Sequence, residues 1–363
     1  MLKLKYIDAL RGFAVLAVLV VHTYHFGDNA HLPALFAAFV NKGIYGVQLF
    51  FFISAFTLFL SVNARFEKEK HFTGNFFIRR FFRIAPMFYL AVIYYLWQIG
   101  TGDFFWLGDD GKITAANIVS NFFFVQGFKP SWINSIVPGG WSVAVEMVFY
   151  LFIPFLFYRI KNTQQAAIFF FVTLAIRLVL DVAFHKIHPI HNDALWYLYL
   201  YYYFPSQLPV FALGILFYFV IKDNYTFKIN PCLILITAIV LLVHFAVVQV
   251  IPEHVFFTIV FFVLAIALSK CEYKIIVNRF TVYMGKISYS VYLTHFAVFY
   301  WLNKFNLVNY LAGQSPAVAV FNFVIRFLLV MVLSALLSTI LHHLIELPVQ
   351  RLGYRIIKKR ENN

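Results

Sequence analysis

The chain has 363 residues, of which 62% are hydrophobic and only 12% charged, with a formal net charge of +14 and a mean hydropathy of +0.80. A soluble domain carries about 25% charged residues, so this chain lacks the polar surface that water demands and takes lipid as its solvent. In lipid every backbone polar group must be paired internally, which leaves helices or a closed barrel.

Barrel strands alternate apolar and polar residues over about ten positions. Here the apolar runs are continuous, as in 13–21 and 233–250, and about 20 residues of helix cross a bilayer core. The pattern predicts an all-α integral membrane protein, a bundle of about ten transmembrane helices, at 7–26, 43–62, 85–100, 141–158, 165–184, 195–221, 232–250, 253–269, 287–305 and 317–345. Pro205 and Pro209 interrupt the sixth, and residues 116–127 read as a short or re-entrant helix inside the long polar connection 101–140. No repeat or linker divides the chain, so 1–363 reads as a single transmembrane domain. The first span follows Lys3 and Lys5 with no small-residue cleavage site behind it, and reads as retained. Cys232 and Cys271 fall near helix ends on one side, and no CxxC or Cys/His cluster suggests a metal.

Most of the 29 Lys and Arg fall on one side of these spans, while Lys42, Lys112, Lys129, Lys186 and Lys304 fall on the other. The positive-inside rule then places both termini in the cytoplasm, with the bundle in the cytoplasmic (inner) cell membrane. The charge is thus a topology signal at membrane edges, and nucleic acid is not an expected partner.

Ionisable groups inside spans are costly and mark function. On the first helix Asp8, Arg11 and His22 share one face: eleven residues separate Arg11 from His22, close to three turns, and His25 lies one turn further. Next come Arg79, Arg80 and Arg83, of which Arg80 and Arg83 are three apart and share a face. They read either as a positive-inside anchor or as a phosphate clamp, since the guanidinium fork suits phosphates. Glu146 is a lone carboxylate at the start of the fourth span; it needs a His or Arg partner, or else a bond to Ser142 at i−4. Arg177 and Asp181, at i and i+4, are expected to neutralise one another. Tyr289, Tyr292 and His295 form a polar edge on the ninth span, and His342 and His343 read as interfacial.

Five ordered segments resemble the membrane-bound acyltransferase-3 family. They are Tyr6-Ile-Asp8-Ala-Leu-Arg11-Gly12 with His22; Gly46 through Ser54-Ala-Phe56; Arg79-Arg80-Phe-Phe-Arg83-Ile-Ala-Pro86; Trp141-Ser142-Val-Ala-Val-Glu146 through Tyr150; and Ile287-Ser288-Tyr289 through His295, with a tail Ile345-Glu346-Leu-Pro348. Gln48 stands where the family usually has Asp, and Ala55, Met147, Thr294 and Ala297 are further departures. The resemblance implies transfer of an acyl group, usually acetyl, from cytoplasmic acyl-CoA as co-substrate to a hydroxyl of a saccharide or glycolipid at the outer face. No tightly bound cofactor is expected, and the chain shows no room for the esterase-like domain of some members.

Within that scheme Arg80, Arg83 and Arg11 would hold acyl-CoA. His22 would act as general base or take the acyl group itself. Glu146 or Asp8 would orient it, and Asp8, about 21 Å away along the helix, is better placed to fix Arg11. Ser54, Trp141, Ser142, Tyr289, His25 and His295 would line the site. The rival reading is a transporter or flippase with an intramembrane His/Arg/Glu relay, for which the expected inverted repeat is missing from the sequence.

Overall fold

The computed structural model describes residues 4–27, 29–100, 105–187, 189–223, 235 and 252–362, and every regular element among them is helical. In chain order these are α1 (Lys5–His25), α2 (Ala34–Asn41), α3 (Gly46–Asn63), α4 (Phe72–Ile99), α5 (Ala115–Phe122), α6 (Gly140–Arg159), α7 (Thr163–Phe184), α8 (Asp193–Tyr202), α9 (Phe204–Lys222), α10 (Glu253–Lys270), α11 (Arg279–Lys304), α12 (Pro316–Leu341) and α13 (Leu347–Asn362). Among the described residues, seven stretches are long and apolar enough to cross a membrane: α1, α2–α3, α6, α7, α8–α9, α10 and α12–α13. The expected span 232–250 lies outside the described residues, apart from Leu235.

The sixth expected span is two helices: the chain turns extended at Tyr203, and Pro205 starts α9, where its missing N–H costs nothing. The third begins at Phe72, not at residue 85, so the three arginines ride on a helix and not in a loop. Its first turns are amphipathic, which an apolar-run criterion does not detect. Residues 115–122 form the short helix expected in the long connection.

α1 is the centre of the bundle and packs on α11, α3 and α12. At the α1–α11 crossing the backbones touch. A Cβ on Gly285 would stand 1.8 Å from the Asp8 carbonyl oxygen, and one on Gly12 2.1 Å from that of Thr281. Small residues at such a crossing let two membrane helices approach closely. From there α1 and α11 climb in the same direction, to His22 and His295, each ten residues beyond its glycine.

The face where α1 begins, called the near face, also holds α13. Glu361 there accepts from the backbone N–H groups of Lys70 and His71 and from Asn75 Nδ2 at the start of α4. Both ends of the described chain therefore lie on one side. On the far face the 105–139 connection folds over the bundle around Asp110. Partial burial pushes its carboxyl up, but hydrogen bonds from Lys129 and Ser131, the Lys129 charge and Trp132 Nε1 outweigh this and hold it below the usual carboxylate range.

Candidate active site

Arg79 pairs with Glu69 at 2.8 Å, so it belongs to the near-face scaffold. One residue on, Arg80 turns to the opposite side with Arg83, as their spacing predicted. Arg80 lies over the rings of Tyr150 and Phe76, at 5.8 and 5.9 Å, and its buried Nε has no hydrogen-bond partner. Arg11 comes from α1, held by Asp8 at 3.2 Å and Thr57 Oγ1 at 3.0 Å. The expected Asp8–Arg11 pair is thus present.

These three arginines stand between two connected hollows. A near-face vestibule is lined by Asp8, Arg11, Arg65, Arg80, Arg83 and Tyr354. Beyond them, toward the bundle interior, lies a cavity of about 700 Å³ including its open mouth, walled by Ser54, Thr57, Ser142, Glu146, Tyr150, Tyr289 and Tyr292 as well as the arginines. Guanidinium groups in a low-dielectric neck favour an anion strongly, because water screens them poorly there.

Glu146 corrects an expectation. Its Oε1 accepts from Ser54 Oγ and from the Tyr150 hydroxyl at 2.6 Å. Its hydrogen bonds go to Ser54 of α3 and to Tyr150 of its own helix, and none joins it to His22. Ser142 is not its partner either: Ser142 Oγ lies 2.8 Å from the Tyr292 hydroxyl, and both reach the Gly139 carbonyl at 2.9 Å. Gly139 is left-handed (φ 77°), and a Cβ there would meet the Tyr292 hydroxyl at 2.7 Å, so conformation and space both call for glycine. A hydroxyl donating to a carboxylate is an arrangement that activates oxygen nucleophiles. Tyr150 therefore joins the site, although its place in the fourth motif carried no assigned role.

His22 is half-buried and does not line that cavity; it stands among aromatic rings. Its ring lies 4.5 Å from Phe296 and 5.2 Å from His295. Phe26 covers Phe296 and stacks on Phe299 at 4.6 Å. Tyr292 links the two regions: it lines the arginine cavity, and its ring is 5.9 Å from that of His295. His25 is exposed. Trp141 is buried and stacks on Tyr202 at 4.3 Å, a packing place and not a lining one. Tyr289 lines the cavity and donates to the Ile84 carbonyl at 2.8 Å.

Three further polar groups lie outside this site. Asp181 pairs with His185 at 3.5 Å instead of with Arg177. Acid before base at i, i+4 is the favourable order on a helix, and Arg177–Asp181 runs the other way. Glu346 sits on a π-helical turn, His342–Glu346, and bonds His342 Nδ1 and Ser290 Oγ, each at 2.9 Å. Gln48 is buried and donates to Gln207 Oε1 at 3.0 Å, a packing role consistent with its departure from the family pattern.

A family model described as "Acyltransferase domain" matches residues 4–343, nearly the whole chain. The O-acetyltransferases OatA of Staphylococcus aureus strains NCTC 8325 / PS 47 and COL are each 27% identical to it over 96% of this chain and 57% of their own length. The chain thus spans little more than half the length of these curated relatives. No solved structure matches.

Proposed function

This chain belongs to the acyltransferase family matched above, and we propose that it is a membrane O-acyltransferase that moves an acetyl group from acetyl-CoA to a hydroxyl of a cell-surface saccharide or lipid-linked glycan. The near face is read as cytoplasmic, in the cytoplasmic membrane. The observation that carries this reading is the neck of Arg11, Arg80 and Arg83 between the vestibule and the interior cavity. Phosphates of a CoA-type donor suit that neck, since arginine forks bind phosphate bidentately. The donor's uncharged arm would then run along α1 past Tyr292 toward His22, about 16 Å from Arg11 by helix rise.

At His22 the imidazole takes the proton of the acceptor hydroxyl. The oxygen attacks the thioester carbonyl, the C–S bond breaks, and the proton passes to the departing sulfur, leaving an ester and free CoA. General base help of this kind contributes about 10²–10⁴-fold, and holding donor and acceptor together contributes more. The named relatives, called O-acetyltransferases, support acetyl as the group moved.

The test uses purified protein and its His22→Ala variant in liposomes with labelled acetyl-CoA, following CoA release and covalent label. CoA release that depends on His22 is the expected result. Label that accumulates on both forms would move the nucleophile to the hydroxyls on Glu146. No binding and no turnover by either form would favour the transporter reading.

A further inference from the structure

We propose that His295 is the positioning residue for His22, an imidazole in the place where a carboxylate was expected; the inference rests on His22 acting as the base. His295 is fully buried. Its Nδ1 lies 3.2 Å from the Val291 carbonyl, on the preceding turn of α11. A carbonyl only accepts, so the proton sits on Nδ1, and Nε2 is left as a bare acceptor. That Nε2 is buried and has no hydrogen-bond partner. Buried polar atoms are almost always satisfied, and an exception needs a reason.

The ring beside it supplies one. His22 and His295 have centroids 5.2 Å apart, with planes tilted by 32°. The two rings share no hydrogen bond in the structure, but at that separation a rotation of the His22 ring brings one of its nitrogens within hydrogen-bonding reach of Nε2, about 3 Å. The titratable groups that act on His22 are His295 from α11 and His25 from its own helix; the ring of Phe296 packs on it, and the buried Arg326 of α12 donates to the Thr23 carbonyl, one residue on. Carboxylates do not enter: Glu146 is held by Ser54 and Tyr150, and Asp8 by Arg11.

A His22 N–H given to His295 Nε2 fixes both the ring and its tautomer. The other His22 nitrogen is then bare and is the one that takes the acceptor's proton. A neutral orienter differs from the carboxylate of a Ser-His-Asp triad, which stabilises the imidazolium. With His295 there is no counter-charge, so the imidazolium forms only briefly and the proton moves on to the leaving sulfur.

The experiment measures CoA release against pH for the whole protein in liposomes, as wild type, His295→Leu and His295→Gln. Hydrogen-bond partners that orient metal-bound histidines carry about 10- to 100-fold in activity or affinity, and a loss of the same order is expected here. His295→Leu should lose that much kcat with the KM for acetyl-CoA unchanged, and its pH–rate profile should shift. His295→Gln, whose amide oxygen can accept, should recover part of the rate and return the profile toward wild type. A purely packing role would lower the folded yield and leave the profile of the surviving enzyme in place. Wild-type kcat and profile in His295→Leu would overturn the proposal, as would equal losses in both variants. Should the leucine variant not fold, ¹⁵N shifts of the labelled wild-type histidines decide. One fixed His22 tautomer is expected, and an averaged pair would contradict the proposal. The two readings fail separately: activity in His22→Ala removes the base itself, whereas a silent His22→Ala with an unaffected His295→Leu removes only its partner.

Discussion

The arginine cavity and the histidine cluster share α1 and α11, yet they are built by opposite rules. In the cavity polar groups are numerous and mostly engaged: Arg11 by Asp8 and Thr57, Glu146 by Ser54 and Tyr150, Tyr292 by Gly139. In the cluster aromatic rings pack on two imidazoles, and one nitrogen is left bare. A charged ligand needs many preorganised charges around it, because each buried charge must be compensated. A neutral base needs a dry site and one orienting contact. On the function proposed above, the contrast would give binding to the near-face region and proton transfer to the far one.

The largest way to test this division is His22→Ala. It should lower kcat by about 10²–10⁴-fold and leave acetyl-CoA binding intact, as read by isothermal titration in detergent. Next, Arg80→Ala and Arg83→Ala should do the reverse. Hydrogen bonds to charged groups are worth about 1.5–3 kcal/mol, so KM for acetyl-CoA should rise about 10- to 100-fold in steady-state assays. Lysine at either position should restore only part, since it lacks the planar fork.

A third variant couples the two regions. Gly285→Ala forces a Cβ against the Asp8 carbonyl and should cost about 1–3 kcal/mol by overpacking, seen as a lower midpoint in thermal unfolding. It should reduce binding and turnover together, because α1 carries both Arg11 and His22. The smallest effect belongs to Asp110, outside both regions. Its carboxyl is held below the usual range, so its contribution is present above the unfolded-state pKa and is lost as pH falls through the lowered folded value. Asp110→Asn should remove that acid dependence from far-face hydrogen exchange, with a cost of about 0.2–1 kcal/mol for so exposed a pair, and leave CoA release unchanged.

Spacing along one helix made part of this legible in the sequence. Arg80 and Arg83 share a face because they are three apart, and Asp8 reaches Arg11 for the same reason. What spacing does not carry is which helix stands beside which. A lone carboxylate such as Glu146 calls for a partner without saying which, and the fold gives it Ser54 of α3. His295 was seen as one of a polar edge, but its neighbour is set by the Gly12–Gly285 crossing, a contact between residues 273 positions apart. The two long helices that fall outside the set apolar enough to cross a membrane, α4 and α11, are those carrying Arg80, Arg83, Tyr289 and His295. Their polar residues blur the hydropathy signal because those residues face the site and not the lipid. That is also why the start of α4 escaped an apolar-run reading.

The division of labour is tested most directly by measuring kcat and KM for acetyl-CoA side by side, in one liposome preparation, for His22→Ala and the Arg80→Ala/Arg83→Ala double variant. The account predicts that the histidine variant loses kcat at an unchanged KM and that the arginine variant raises KM at a kcat close to wild type. Equal losses of kcat in both, with KM unmoved, would contradict it and would place the arginines in the chemical step.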